Sequence, residues 1–279
     1  MSERQCNNSN CSATDCKNCA HKNSNINKQE PINNNHIRNV IGIVSGKGGV
    51  GKSTVTSLLA RKLASEGYKV GILDGDITGP SIPKMFGLSG QLEVEESLMI
   101  PKISAEGIKV VSMNLLLENE EDPVVFRGPI LAQAILQFFN ETNWGELDYL
   151  LIDMPPGTGD VPLTVYQSLP VSGIVIVTSP QELVKMIVMK ACNMADKMNI
   201  RVLGLVENYS YFECPDCGKR YNVFGDSRID ELAEQTGTKV IAKLPIMSQI
   251  AQNADLGVSI CGEIDMNLET ITMLMTEDK

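Results

Sequence analysis

The 279-residue chain lacks any apolar run of the roughly 18 residues that a membrane-spanning helix needs. Its N-terminus, MSERQCNNSNCSATDC, lacks the apolar segment of a signal peptide, so we expect a cytoplasmic protein. Basic charge is also scarce, because 24 Lys and Arg stand against 34 Asp and Glu and give a formal net charge of −10. Such a surface repels phosphate backbones and anionic headgroups, which argues against general nucleic-acid or membrane binding. Any phosphate ligand must therefore be held by local groups.

Residues 1–39 have few large apolar side chains and no periodicity of a folded element, so we expect a flexible tail carrying four cysteines. From Val40 onward, short β-branched runs alternate with longer amphipathic stretches, which predicts buried parallel strands and covering helices. The predicted strands are residues 40–44, 70–73, 108–112, 148–153, 173–178 and 201–206. Helices are expected to begin near Lys52, Pro129, Pro162, Gln181, Asp226 and Pro245.

This alternation of strands and helices predicts an α/β domain over residues 40–265, built on a doubly wound, mostly parallel sheet. Hydrophobic residues make up 43% of the chain, which is enough for a sizeable core. Residues 79–123 indicate an insertion of loops with a short hairpin, and residues 266–279 are expected to form a C-terminal helix or tail.

A phosphate-binding loop follows the first predicted strand. Residues 46–54 read GKGGVGKST, which matches G-x-x-x-x-G-K-[ST], and a helix-forming sequence comes directly after them. Glycines let the backbone approach phosphates closely, and the helix N-terminus adds partial positive charge. We expect Lys52 to contact the β- and γ-phosphates and Ser53 to bind Mg²⁺. The predicted nucleotide-binding residues of the loop are Gly46, Lys47, Gly48, Gly49, Val50, Gly51, Lys52, Ser53 and Thr54.

Carboxylates stand at the ends of two predicted strands. Asp74 and Asp76 follow one strand, and Asp153 ends another. In an open α/β sheet the carboxyl ends of the strands line the crevice where ligands bind, so these groups are placed to serve Mg²⁺ and an attacking water. Gly157 can bring a backbone N–H near a γ-phosphate. We predict Lys52, Asp76 and Asp153 as catalytic groups, Asp153 also as a Mg²⁺ ligand, and Asp74 as part of the nucleotide site.

Six of the eight cysteines lie in two groups, which in a reducing compartment indicates metal ligands rather than disulfides. Cys214 and Cys217 form a C-x-x-C knuckle whose sulfurs can face one ion. The folded part has no second C-x-x-C and no H-x₃₋₅-H, so four ligands require the tail or a second copy of the chain. Two copies related by a twofold axis would supply four thiolates, which suits a [4Fe–4S] cluster. Structural zinc and a redox pair are the alternatives.

The tail cysteines have the spacing C-x₄-C-x₄-C-x₂-C, and they are Cys6, Cys11, Cys16 and Cys19. These four thiolates could hold a whole cluster, bind zinc or remain without metal. Cys192 lies in an apolar helical stretch and Cys261 stands alone, so both are expected to be small core residues.

Seven segments occur together and in order: GKGGVGKS, LDGDITGPSIPKMFG, FRGP, WGELDYLLIDMPPGTGD, VTSPQ, GLVENYSYFECPDCGKRYNVFG and LPI. Through them the chain closely resembles, over residues 40–262, the Mrp/ApbC iron–sulfur carrier ATPases of the SIMIBI class of P-loop proteins, relatives of MinD, ParA and the nitrogenase iron protein. The resemblance implies a homodimer that binds and hydrolyses ATP with Mg²⁺ and carries a bridging [4Fe–4S] cluster on Cys214 and Cys217 for delivery to apoproteins. It also implies that Lys47 reaches the partner's nucleotide as a catalytic group and that Asn208 contacts adenine.

The chain has Asp74-Gly75-Asp76 where this family usually has Asp-Ala-Asp, which keeps both carboxylates. Two other functions suit a P-loop: a MinD/ParA-like positioning ATPase with a structural zinc knuckle, and a metabolic kinase. The C-terminal sequence EIDMNLETITMLMTEDK is acidic, whereas MinD-like membrane cycling needs a basic amphipathic helix. DNA binding needs a basic patch, which the net charge disfavours. An iron–sulfur carrier without nucleic-acid or membrane partners is therefore the leading prediction.

Overall fold

The computed structural model describes residues 35–77, 79, 81–117, 128–157, 159–180, 184–246 and 265–276. The strands are β1 (His36–Ser45), β2 (Val70–Asp74), β3 (Glu93–Glu95), β4 (Leu98–Ile100), β5 (Lys102–Ile103), β6 (Lys109–Ser112), β7 (Glu146–Asp153), β8 (Val171–Thr178), β9 (Val202–Glu213), β10 (Arg220–Tyr221) and β11 (Val240–Pro245). The helices are α1 (Lys52–Ser65), α2 (Ile82–Met85), α3 (Gly128–Asn140), α4 (Asp160–Ser168), α5 (Val184–Lys197), α6 (Ile229–Thr236) and α7 (Glu269–Thr272). The tail cysteines, Cys261 and most of the helix expected near Pro245 lie outside the described residues.

Within the described ranges, nine strands form one sheet in the order β10-β9-β8-β1-β7-β2-β6-β5, with β11 paired to β9. β1 lies parallel between β7 and β8, and β2 lies parallel between β7 and β6. Antiparallel pairing is confined to the margins, where β5 pairs with β6 and β10 with β9. The predicted doubly wound, mostly parallel sheet is confirmed.

The core consists of the central strands and the inner faces of the helices that cover them. Ile41, Ile72, Leu151 and Ile176, from four neighbouring strands, are fully buried. Parallel strands covered on both faces read as continuous apolar runs, and β-branched side chains favour extended backbone. For this reason the six strands predicted from sequence all occur, with boundaries shifted by a few residues.

Several elements differ from the sequence prediction. β1 begins at His36, within the predicted tail, and the described part of the next-to-last predicted helix begins at Ile229 rather than near Asp226. The prediction omitted β11, the two-residue strands β5 and β10 and the short helix α2, whereas β3 and β4 form the hairpin expected in the insertion. The C-terminal segment packs on the same core, because the Tyr149 hydroxyl donates to the carbonyl of Ile271 at 3.4 Å.

Two buried carboxyl groups meet where β2 and β7 end. Asp74 and Asp153 are register partners on these strands, and both are fully buried. Burial and then the negative charge of Asp153 raise the pKa of Asp74 to about 8, although the Ser112 hydroxyl donates to its carboxyl at 3.0 Å. The native protein therefore keeps a proton on Asp74 at pH values where the unfolded chain, with an ordinary Asp pKa of about 3.9, has lost it.

This difference in proton binding predicts a pH dependence of stability. Because the native state binds more protons than the unfolded state, the contribution of Asp74 to the free energy of unfolding should fall with rising pH, by up to about 1.4 kcal/mol per pH unit between about pH 5 and 7. Asp74→Asn should remove this slope in urea-unfolding series. Asp196→Asn, which removes an exposed carboxylate from α5, is the control for loss of charge. A difference between wild type and Asp74→Asn that stays constant with pH would contradict the prediction.

Candidate functional site

The loop between β1 and α1 lies at the carboxyl edge of the sheet and is held from both sides. Gly49 and Gly51 adopt φ values of 80° and 77°, in the left-handed region that glycine tolerates. A Cβ on Gly51 would lie 2.2 Å from Asn208 Nδ2 on β9, and one on Gly46 would lie 1.4 Å from Ile187 Cγ2 on α5. The loop therefore needs glycine at these positions for its own packing. The predicted loop residues placed here are Gly46, Lys47, Gly48, Gly49, Val50 and Gly51, with Ser53 and Thr54 in the first turn of α1.

The predicted lysine, hydroxyl and carboxylates meet at the start of α1. Lys52 Nζ lies 2.8 Å from Asp153 Oδ2 and 3.6 Å from Asp76 Oδ2. The Ser53 hydroxyl donates to Asp153 Oδ2 at 2.6 Å, and the Thr56 hydroxyl donates to Oδ1 at 2.7 Å. Both oxygens of the buried carboxylate are thus engaged by α1. Thr56 is not among the site residues predicted from sequence, although its position four residues after Lys52 places it on the same helix face.

The donor set at this point suits Mg²⁺. The Ser53 hydroxyl and the Asp153 carboxylate are hard oxygen ligands that lie within hydrogen-bond distance of each other, and Asp76 adds a further carboxylate nearby. No group of three or more His, Cys, Asp or Glu side chains in the described parts of the chain is arranged as a complete metal site. A magnesium ion held here would therefore complete its coordination with nucleotide phosphate and water, as Mg²⁺ commonly does.

Asp74 and Gly75 shape the turn that presents Asp76. The Asp76 N–H donates to Asp74 Oδ1 at 3.2 Å, and the Gly75 N–H donates to the Asp153 carbonyl at 2.9 Å. A Cβ on Gly75 would lie 2.9 Å from that same carbonyl oxygen, closer than side chains tolerate. The glycine that replaces the usual alanine therefore permits a tight contact between the ends of β2 and β7.

Two further predicted residues form hydrogen bonds beside the loop. The Gly157 N–H donates to the carbonyl of Ser45, the last residue of β1, at 2.8 Å, and its contact with a γ-phosphate stays a prediction. Asn208 Nδ2 donates to the Val50 carbonyl at 3.0 Å, while its Oδ1 accepts from the Tyr209 N–H at 3.0 Å. Asn208 thus connects β9 to the phosphate loop, and its contact with adenine stays a prediction.

Lys47 is half-buried at the second position of the loop. The Ser45 hydroxyl donates to its carbonyl at 3.0 Å, which ties the start of the loop to the end of β1. Its action on a partner's nucleotide concerns a second chain and stays a prediction.

Cys214 and Cys217 lie on a hairpin loop between β9 and β10. The Cys214 N–H donates to the Lys219 carbonyl at 3.0 Å, and the Gly218 N–H donates to the Cys214 carbonyl at 2.9 Å. Cys214 is half-buried and Cys217 exposed, and both are free thiols. The backbone N–H groups of Asp216 and Cys217 lower the pKa of the Cys214 thiol, which favours the thiolate that binds metals. Cys192, the one further cysteine among the described residues, is half-buried on α5.

Comparison with known proteins agrees with this combination of features. The chain matches the family model described as ParA, NUBPL iron-transfer P-loop NTPase, over residues 36–277. It is 50% identical over 233 residues to an iron–sulfur cluster carrier protein of Clostridium perfringens, covering 81% of this chain and 82% of the relative. It is 43% identical over 232 residues to the iron–sulfur cluster transfer protein NUBPL of Mus musculus, covering 82% and 72%.

Solved structures give the same result. A nucleotide-binding protein from Archaeoglobus fulgidus, in complex with ADP and containing cobalt, superposes with a TM-score of 0.72 at 48% identity, covering 79% of this chain and 87% of that one. A MinC:MinD complex from Aquifex aeolicus shares the fold alone, with a TM-score of 0.60 at 20% identity over 86% of this chain and 97% of that one. None of the helices in the described ranges is long and apolar enough to cross a membrane. The match over residues 36–277, together with the phosphate loop and the carboxylates around Lys52, shows that the chain belongs to the NUBPL iron-transfer family of P-loop NTPases.

Proposed function

We propose that the chain is an ATP-binding and ATP-hydrolysing carrier that assembles a [4Fe–4S] cluster and transfers it to apoproteins in the cytoplasm. The observation that carries the proposal is that β9 joins two sites: its Asn208 bonds to the phosphate loop, and it ends at the hairpin with Cys214 and Cys217. The relatives named iron–sulfur cluster carrier or transfer proteins support the cargo. The reducing cytoplasm would keep the thiols free.

In this proposal the nucleotide chemistry belongs to the groups around Lys52. Lys52 binds the β- and γ-phosphates. Ser53 and Asp153 would hold Mg²⁺, which when bound would supply charge stabilisation during phosphoryl transfer. Asp76 orients the water that attacks the γ-phosphorus. Lys47 of a second copy would add positive charge to the transition state, as the family resemblance implies.

The hairpin favours a second copy as the source of the missing ligands. The register of β9 and β10 pairs Phe212 with Tyr221 and Glu213 with Arg220. Because successive strand residues point to opposite faces, Phe212 and Tyr221 share one face, and Glu213 and Arg220 form an ion pair of 2.8 Å on the other face. Cys214 follows directly after Glu213, where β9 ends.

Phe212 and Tyr221 are 39% and 46% exposed, and the Lys219 ammonium lies 5.2 Å from the centre of the Tyr221 ring. Exposed aromatic rings beside two cysteines suit contact with another protein surface. A twofold dimer through the face that carries these rings would bring four thiolates together around one cluster, which is the cargo.

Lys52→Ala tests nucleotide binding. The substitution removes charge-assisted phosphate contacts of about 1.5 to 3 kcal/mol each, so the affinity for ATP should fall about tenfold or more. Isothermal titration calorimetry measures this, with Lys62→Ala as the control, because Lys62 is a more exposed lysine on the same helix that pairs with Glu66. Circular dichroism confirms that each variant is folded. Unchanged affinity in folded Lys52→Ala would contradict the assignment.

Asp153→Asn and Asp76→Asn test hydrolysis. Asparagine replaces the carboxylate with a neutral amide that has a single oxygen, a much weaker Mg²⁺ ligand, so Asp153→Asn should lose Mg²⁺-dependent turnover, while Asp76→Asn should lower kcat more than ATP affinity. Steady-state phosphate release at several Mg²⁺ concentrations gives both quantities. Near wild-type kcat in both variants would exclude these carboxylates from catalysis.

Cysteine variants test the cargo. A full-length variant with the four tail cysteines changed to serine should bind about four irons and four sulfides per dimer after anaerobic reconstitution, because two hairpins supply enough ligands. Adding Cys214→Ser or Cys217→Ser should abolish this iron and shift the protein to monomers in light scattering. Cys192→Ser is the matched control, since it removes a half-buried thiol from α5.

Any iron that the unaltered chain binds beyond the amount bound by the variant without tail cysteines would be the iron held by those four cysteines. A reconstituted protein that binds zinc but neither iron nor sulfide would leave only an ATPase with a structural knuckle, and the carrier function would be wrong.

A further inference from the structure

Arg61 is a buried charge on α1 that the nucleotide site does not use. Its side chain is only 9% exposed. The Nε group donates to Glu106 Oε1 at 2.9 Å, and Nη2 donates to the Met85 carbonyl at 2.8 Å. The guanidinium carbon lies 4.3 Å from the centre of the Phe86 ring. One side chain therefore connects α1, the end of α2 and the loop before β6.

The contacts of Arg61 lie at the far end of the segment that begins with Asp76. At the start of this segment, Asp76 Oδ2 lies 3.6 Å from Lys52 Nζ, and at its end the Met85 carbonyl accepts from Arg61. Lys52 and Arg61 stand nine positions apart on α1, which is about 14 Å along a helix axis. A single helix therefore holds the segment near both of its ends.

The described residues between these ends are packed rather than free. Ile77 and Ile82 are almost completely buried, and the Met85 N–H donates to the Ser81 carbonyl at 3.2 Å. Ser57, one turn before Arg61, adds a second contact from α1, with its Oγ 3.1 Å from Met85 Sδ. Because close-packed side chains transmit displacement, a shift at Met85 would move the turn that presents Asp76.

We propose that Arg61 is a positioning residue for Asp76: by fixing Met85 and Phe86 to α1, it sets where the Asp76 carboxylate stands relative to Lys52. This inference rests on the proposed ATP hydrolysis. A stabilising role alone accounts poorly for the geometry, because Nη1 is buried and has no hydrogen-bond partner in the described structure. Its acidic partner, Glu106, is also partly exposed. Buried ion pairs with incomplete hydrogen bonding return little net stability.

Arg61→Met tests the proposal, because methionine keeps an unbranched apolar stem but removes the donors. We expect kcat for ATP hydrolysis to fall about tenfold, as for a catalytic group displaced by less than an ångström or so. The KM for ATP should change less than about twofold. Arg61→Lys should restore turnover only in part. Its ammonium keeps the charge and can donate hydrogen bonds, but it cannot reproduce the planar guanidinium that reaches both Glu106 Oε1 and the Met85 carbonyl. Lys62→Met, at the next position on the same helix, should retain wild-type kcat.

A double-mutant cycle separates positioning from general structural support. In the Asp76→Asn background the positioned carboxylate is absent, so Arg61→Met should lower kcat little further. The effects of two independent substitutions at opposite ends of the segment would instead add. A merely structural role predicts the same fractional loss in both backgrounds. Unchanged kcat in Arg61→Met, or equal losses in the two backgrounds, would overturn the proposal.

Hydrogen exchange gives a readout that needs no turnover. The backbone amides of residues 81–87, apart from Pro83, should exchange faster in Arg61→Met than in Lys62→Met, because only the first variant loses the anchor at Met85. Equal exchange would overturn the anchoring on which the proposal depends. A wild-type chain without ATPase activity would refute the proposed function instead, and the exchange comparison would still decide whether Arg61 holds this segment.

Discussion

The buried contact between Lys52 and Asp153 determines how the rest of the site is arranged. Both side chains are almost completely buried, so each would leave an uncompensated charge without the other. Asp153 ends β7, and Lys52 begins α1, so the contact fixes the phosphate-loop helix against the middle of the sheet. The hydroxyls of Ser53 and Thr56 donate to the same carboxylate, and these bonds fix the orientation of the first turn of α1 relative to β7. The turn after β2 then brings Asp76 to the same ammonium group.

The sequence predicts the elements whose signals are local. Central strands are continuous apolar runs because both faces are covered, and the phosphate loop requires its glycines at fixed spacing. β11 was not predicted because its sequence, VIAKLP, contains a lysine and a proline and so lacks a continuous apolar run. Its strand conformation depends on pairing with β9. α2 has only four residues, too few for a helical period to show in the sequence.

The residues of the site that lie at strand ends or in the loop motif could be predicted from sequence. Lys52, Ser53, Asp76 and Asp153 come together because carboxyl ends of parallel strands share one edge of the sheet. The bond from Asn208 to Val50 joins residues 158 positions apart, and its geometry depends on where β9 lies beside the loop, which no spacing in the sequence encodes. The contacts of Arg61 with Glu106 and Met85 are of the same long-range kind.

The position of β9 also limits how strongly the two sites can influence each other through one chain. Asn208 bonds to the phosphate loop, and Cys214 stands six residues later, at most about 20 Å along the strand, because β9 is irregular at Tyr209, whose φ is 60°. A single hydrogen bond of this kind contributes about 1 kcal/mol, which is equivalent to roughly a fivefold change in an equilibrium constant. Any stronger coupling between nucleotide and thiolates requires contacts that add to this bond. In the proposed dimer, a second copy would supply them through the face that carries Phe212 and Tyr221, beside the hairpin with Cys214 and Cys217.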